Sequence, residues 1–245
     1  MKKCVVICFL SLSLCFNCLS VSAEEELSDS YKEYLQYLSE GWFGKDVSYD
    51  VWQSAVLESE RLEKLLESET EDFTCVYTEY GIGLNANTPP TGDGDFSMMK
   101  GDVLVTNGTV SAKIAGHAGI AISSSKILHI AGKHHHPETI TLAQWKNSYT
   151  NNSSKWTKFY RHNTYSYAVA AANWGIANYI NKNANAEYEL FSPLTKTNPT
   201  YCSKLVWQCY YFIKPSQATG DDYVLPYHLS RAIKNINQVG KIYGR

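Results

Sequence analysis

The sequence predicts an α+β protein: a small antiparallel β-sheet packed on helices and preceded by an N-terminal helical arm. Three observations carry this reading. Residues 24–73 are rich in Glu, Leu and Tyr, lack proline, and repeat apolar residues at helical spacing. Three short apolar stretches bounded by turn residues follow: "GDVLVT" at 101–106, "HAGIAIS" at 117–123 and "KILHIAG" at 126–132. Helical patterning then returns at 166–183 and again from Thr200. Helices grouped around a run of short strands, rather than alternating with them, fit a layered α+β plan.

Taken in order, the chain opens on two lysines, an apolar run from Val5 to Leu19 and the small residues Val21-Ser22-Ala23 before three glutamates. That is the pattern of a secretory signal peptide cleaved after Ala23. The run is shorter than the ~20 apolar residues of a membrane-spanning helix, so no stable membrane anchor is expected. Export places the mature chain outside the cell or against the cell wall.

Cleavage removes Cys4, Cys8, Cys15 and Cys18 and leaves Cys75, Cys202 and Cys209. Three is an odd number, so at least one thiol stays free or pairs between chains. A disulfide-built mini-protein is excluded at this length. The formal charge of −2 for the whole chain becomes more negative once Lys2 and Lys3 are lost, and nothing points to a nucleic-acid partner.

In the arm (24–73), Tyr31, Tyr34, Leu35 and Leu38 form one apolar stripe, and Val51, Trp52, Ala55, Leu62, Leu65 and Leu66 a second, joined around Gly41 to Asp46. The Gly-, Asn- and Pro-rich stretch within 74–98 reads as loop. A second domain, carrying the strands, then spans 99–245. Within it "TLAQWKNSY" reads as a helical turn, "KWTKFYRH" and "AEYELFS" as strands, and 200–213 as a helix entered through Asn198 or Thr200 as cap.

On such a helix Cys202 and Cys209 are two turns apart, about 10 Å at ~1.5 Å per residue. A disulfide needs Cα atoms within roughly 7 Å, so they cannot bridge each other. Either thiol can still meet Cys75. Cys202 sits in the first turn, where unpaired N–H groups and the helix dipole favour a thiolate; Cys209 sits mid-helix among apolar residues. A helix-start cysteine becomes a nucleophile only when a base reaches it. His117 and His129 are the candidates. They lie on two expected strands, and a turn centred on Ser123 or Ser124 puts both rings on one face of the hairpin. An imidazole beside the thiol, oriented by a second polar group, is the logic of a catalytic triad.

"GDVLVT", "GHAGIAI", "ILHI" and "YCSKLVWQCYY" in this order resemble the circularly permuted branch of the NlpC-type papain-like cysteine hydrolases, including the YiiX-like proteins. Lecithin retinol acyltransferase belongs to the same wider group. The resemblance covers roughly residues 99–230, with "VLPYHLS" as a closing segment. It implies a permuted papain-like core, with Cys202 as nucleophile, His117 as general base and His129 as the third, orienting residue. The Cys202 backbone N–H would help hold an oxyanion, and no cofactor is implied. Asp102 matches a recurrent family position, where a turn or strand-start cap is the expected role.

The function so implied is an exported amidase cleaving cell-wall stem peptides through an acyl-thioester. Lipid or N-acyl chemistry on the same fold is the first alternative. A secreted binding protein on a retired hydrolase scaffold is the second. "KHHHPE" offers His134, His135 and His136, but neighbours on an extended chain alternate sides and do not converge on one ion, so no metal site is expected.

Overall fold

The structure, a computed structural model, describes residues 27–69, 97–220 and 222–244. The leader, Cys75 and most of the 74–98 stretch lie outside the described residues.

Six strands form one fully antiparallel sheet: β1 (Val103–Ser111), β2 (Ile114–Ala121), β3 (Lys126–His129), β4 (Glu138–Thr141), β5 (Trp156–His162) and β6 (Ile236–Tyr243). Their order across the sheet is β4-β3-β2-β1-β5-β6. The helices are α1 (Asp29–Ser39), α2 (Tyr49–Ser68), α3 (Leu142–Tyr149), α4 (Tyr165–Gly175), α5 (Cys202–Tyr211) and α6 (Leu229–Ala232). A π-helical stretch, Ile176–Lys182, continues α4. No helix among the described residues is long and apolar enough to cross a membrane.

The alternation of the strands divides the interior in two. Val103, Val105, Ala118, Ile120 and Leu128 face one side, packing with Leu205, Val206 and Cys209 of α5 and with Ala171 and Ala172 of α4. Leu104, Ala121, Ile127 and Phe159 face the other, against Trp145 and Tyr149 of α3. Period-2 burial of this kind is how one short strand serves two cores.

The two N-terminal helices share the first of these cores through Tyr34, Trp52, Leu62 and Leu66. Ser28 and Ser48 cap them by accepting the backbone N–H groups of Tyr31 and Val51. The Trp52 indole donates to the Ala112 carbonyl at 2.9 Å, and the Ser59 hydroxyl accepts from the Ala115 N–H at 3.1 Å. The α2 helix is thereby bonded to the β1–β2 turn. At its C-terminus the buried Lys158 ammonium donates to the Leu66 carbonyl at 2.6 Å. That is a favourable place for a cation, on the negative end of the helix dipole.

Two sequence expectations change here. "AEYELFS" is not a strand of the sheet. It is a strap held by isolated bridges, Tyr188 to Thr200 and Leu190 to Phe43. The α5 helix is entered through Tyr201, not Asn198 or Thr200, and no side chain caps it. β4 and β6 are strands that the apolar patterning did not announce.

Candidate active site

The hairpin brings the two histidines together. Ile120 pairs with Leu128 and Ala121 with Ile127, so the turn is centred on Ser124 and both rings share a face. His117 Nε2 and His129 Nδ1 are 3.0 Å apart, with the rings nearly perpendicular at 85°. Both side chains are buried, each 2% exposed.

The face they share is the one covered by α3. That helix starts on a capping box, in which the Thr141 hydroxyl accepts the Gln144 N–H and the Gln144 side chain accepts the Thr141 N–H. Its Trp145 stacks on His117 with ring centroids 5.3 Å apart, and Tyr149 lies 4.5 Å from the same ring. The Tyr149 hydroxyl reaches His129 Nδ1 at 3.4 Å. Sequence reasoning missed both aromatics as members of the site. Their i,i+4 spacing behind a capping-box start was the available signal.

Cys202 is the first residue of α5 and comes from the opposite side of the sheet. β3 pairs with β2 only at Ile120 and Ala121, which leaves the edge of β2 open at 117–118. There the Ala118 N–H, on the peptide that follows His117, and the Ser203 N–H favour the thiolate form of the sulfur, while the Ser203 hydroxyl donates to the Val224 carbonyl at 2.6 Å. Cys202 is 4% exposed. Burial raises its pKa to about 11, against the lowering pull of those N–H groups. The thiolate expected from the helix position alone is therefore not the resting form, because losing water outweighs a few N–H donors.

The histidines shift in the complementary sense. Burial, helped by the neighbouring His129, holds His117 well below the ordinary imidazole range. Burial, with a smaller effect from His135, lowers His129 to about 4. Burial thus leaves the thiol and both imidazoles neutral at rest. The tautomer that makes His117 a base carries its proton on Nε2, donated to His129 Nδ1, and leaves Nδ1 as the lone pair. His129 then carries its own proton on Nε2. Glu138 stands directly across β4 from His129, with Oε1 3.8 Å from that nitrogen.

The strap 186–192 adds Tyr188, a buried phenol whose pKa is raised by burial and then by the nearby Cys202. Its position is fixed by backbone bonds from Glu189 to Thr200 and from Leu190 to Trp42, at 2.9 Å each. Lys204, two residues beyond Cys202, pins the strap from below. Its buried ammonium donates to the Ser192 hydroxyl at 2.9 Å and to the Pro199 carbonyl at 2.7 Å.

The remaining candidates lie elsewhere. Cys209 is fully buried against Gly175, and burial raises its thiol pKa. It is core. Cys202 and Cys209 are both free thiols, and Cys75 is outside the described residues. Asp102 is buried in a two-point ion pair with Arg161 (2.6 and 2.7 Å) and accepts the Met99 N–H, closing the turn into β1. His136 bonds the Ala186 carbonyl at 3.1 Å, and no group of metal-ligating side chains forms among the described residues.

Comparison with known proteins gives two findings. Residues 68–238 match the family model described as lipoprotein N-acylation protein LnsA-like, a span that includes Cys202, His117 and His129. An uncharacterized 30.3 kDa protein of Bacillus thuringiensis is 32% identical over 250 residues, covering 86% of this chain and 87% of that one. No solved structure matches. A family model that takes in both halves of the site, the histidine hairpin and the cysteine helix, settles the assignment: this chain belongs to the lipoprotein N-acylation protein LnsA-like family.

Proposed function

We propose that the protein is a thiol acyltransferase that takes an acyl group from a lipid ester onto Cys202 and passes it to the amino terminus of a lipoprotein. The observation that carries this reading is a dry cysteine. Cys202 starts an uncapped helix, is 4% exposed, and has its sulfur against the peptide that follows His117. An acyl-thioester held away from water survives to meet an amine, whereas a hydrolase must admit water to the same bond. Family membership points the same way, since the family is described by lipoprotein N-acylation. Neither observation favours cell-wall stem peptides, the substrate first expected, and acyl transfer replaces that reading.

In the first half-reaction His117 Nδ1 takes the thiol proton as sulfur attacks the ester carbonyl. The C–O bond breaks, and the leaving alkoxide takes the proton back from His117. His129, hydrogen-bonded to His117 Nε2, orients the ring and shares its charge. In the second half-reaction an amine attacks the thioester and the C–S bond breaks. The substrates are a lipid ester and a lipoprotein amine, and both are met outside the cytoplasm once the leader is removed at Ala23.

The test supplies the protein with vesicles of acyl-labelled phospholipid and a diacylated peptide bearing a free amino terminus. Label should appear on Cys202 as a hydroxylamine-sensitive thioester and then on the peptide as an amide. Cys202→Ala and His117→Ala should each lower amide formation by at least ~10³-fold, the usual scale for removing a nucleophile or its base. Amide formation by the Cys202→Ala protein, or release of the label only as free acid, would overturn the reading.

A further inference from the structure

One polar atom of the site is left over. His129 Nδ1 has two neighbours, His117 Nε2 at 3.0 Å and the Tyr149 hydroxyl at 3.4 Å. Nε2 of the same ring is buried and has no hydrogen-bond partner. What faces it is Glu138, the cross-strand partner of His129, whose Oε1 is 3.8 Å away and whose side chain is 49% exposed. That separation is just beyond a hydrogen bond, and a half-exposed glutamate closes it by a change of rotamer. The groups around the His129 ring are His117 from β2, Tyr149 and Trp145 from α3, His135 from the β3–β4 loop and Glu138 from β4. Among these, Glu138 alone is a carboxylate, and its half-exposed side chain reaches solvent.

Proton bookkeeping gives this arrangement a use. A thioester and an ammonium yield an amide, the Cys202 thiol and one proton. The C–S bond breaks, a C–N bond forms, and nitrogen gives up two protons, of which sulfur keeps one. The other has to leave a buried site. Two perpendicular imidazoles joined Nε2 to Nδ1 form a conducting pair, since each ring accepts on one nitrogen and donates from the other.

We propose that Glu138 is the outlet of a proton path that runs from His117 through His129 to solvent and carries away the proton released by N-acylation. His117 Nδ1 receives the proton from the attacking nitrogen. His117 Nε2 passes a proton to His129 Nδ1, and His129 Nε2 passes one to the Glu138 carboxylate, which exchanges with water. The inference rests on reading the chain as an N-acyltransferase, and it assigns Glu138 a positioning and proton-accepting role through His129, without contact to substrate.

The path can be tested without substrate. Alkylation of Cys202 by iodoacetamide forms a C–S bond, breaks the C–I bond and releases the thiol proton through the same groups. Rates are read by peptide mass spectrometry on the full chain. Glu138→Gln should slow Cys202 alkylation at pH 7 roughly tenfold, less than the ~10²-fold or more of a group acting directly. Glu138→Asp or added formate should restore part of the rate. An unchanged rate in Glu138→Gln would overturn the path, and so would a slowed rate that neither aspartate nor formate improves. The thioester assay separates the two readings. A Glu138-dependent thiol in a protein that acquires no acyl group from lipid ester keeps the path and removes the proposed function. An active transferase with Glu138-independent alkylation does the reverse.

Discussion

Tyr149 combines two contacts of unequal worth. Its ring fills the space between His117 and Trp145, with centroids 4.5 and 4.7 Å away, while its hydroxyl makes only a long 3.4 Å approach to His129 Nδ1. A hydrogen bond at that length contributes at the low end of the usual ~0.5–1.5 kcal/mol, whereas removing a buried aromatic ring costs about 3 kcal/mol or more. Tyr149→Phe should therefore leave urea stability within about 1 kcal/mol and activity within about fivefold. Tyr149→Ala should lose about 3 kcal/mol and free the His117 ring to rotate. Equal losses in the two variants would show that the hydroxyl, not the ring, holds the histidines. At this scale the sequence was readable for residues whose chemistry is local. The pairing of His117 with His129 stood out because strand register alone sets it, and Cys202 because it begins a helix. Tyr149, Trp145 and Glu138 did not stand out, because their roles depend on which element docks over the hairpin.

Among the elements, β2 positions most of the site and is the least tolerant of change. Gly116 precedes His117 with φ at +98°, and a Cβ there would come within 2.8 Å of the Tyr227 ring. An L-residue in the left-handed region costs ~1–2 kcal/mol before any clash is counted. Gly116→Ala should lower unfolding free energy by about 2 kcal/mol or more, and it should slow Cys202 alkylation, because the peptide between His117 and Ala118 moves with it. Unchanged stability and alkylation would mean that β2 adapts and does not set the site. Element existence was legible where a short apolar run was bounded by turn residues, as in β1, β2 and β3. β4 is four half-polar residues, and β6 alternates polar groups around Gly240, so neither presents an apolar face to detect. The stretch Ala186 to Ser192 shows the converse error. It has strand composition, but its backbone partners are the 198–200 loop and the turn at Trp42 and Phe43. β-propensity reports a half-buried extended chain, not membership of a sheet.

At the scale of the whole molecule, the buried imidazoles tie folding to pH. His117 and His129 have pKa values depressed in the fold relative to the ~6.5 of an unfolded chain. The unfolded chain thus binds more protons in the interval between. Stability from these neutral rings is complete above about pH 6.5 and is lost as pH falls toward the His129 value of about 4. At ~1.36 kcal/mol per pKa unit, one such ring accounts for up to about 3 kcal/mol across that window. The urea midpoint should fall between pH 7 and pH 4.5, and the fall should be shallower in His129→Gln. A midpoint that does not move over this interval would show that the rings stay solvated. The overall layering was legible because it follows from pattern alone. The depth of the site was not: nothing in "TYCSKLVWQCYY" says that the sulfur would lie almost dry beneath a strap arriving from residues 186–192.

The bare start of α5 has a further meaning. Its first internal bond is from the Leu205 N–H to the Tyr201 carbonyl at 2.9 Å, and no side chain stands in for the oxygen that ordinarily finishes such an end. The reactant's carbonyl oxygen, drawn in as the thiol attacks, is the acceptor those amides need. In that view the helix is completed by its own substrate, and the chain should melt at a higher temperature once Cys202 carries an acyl group.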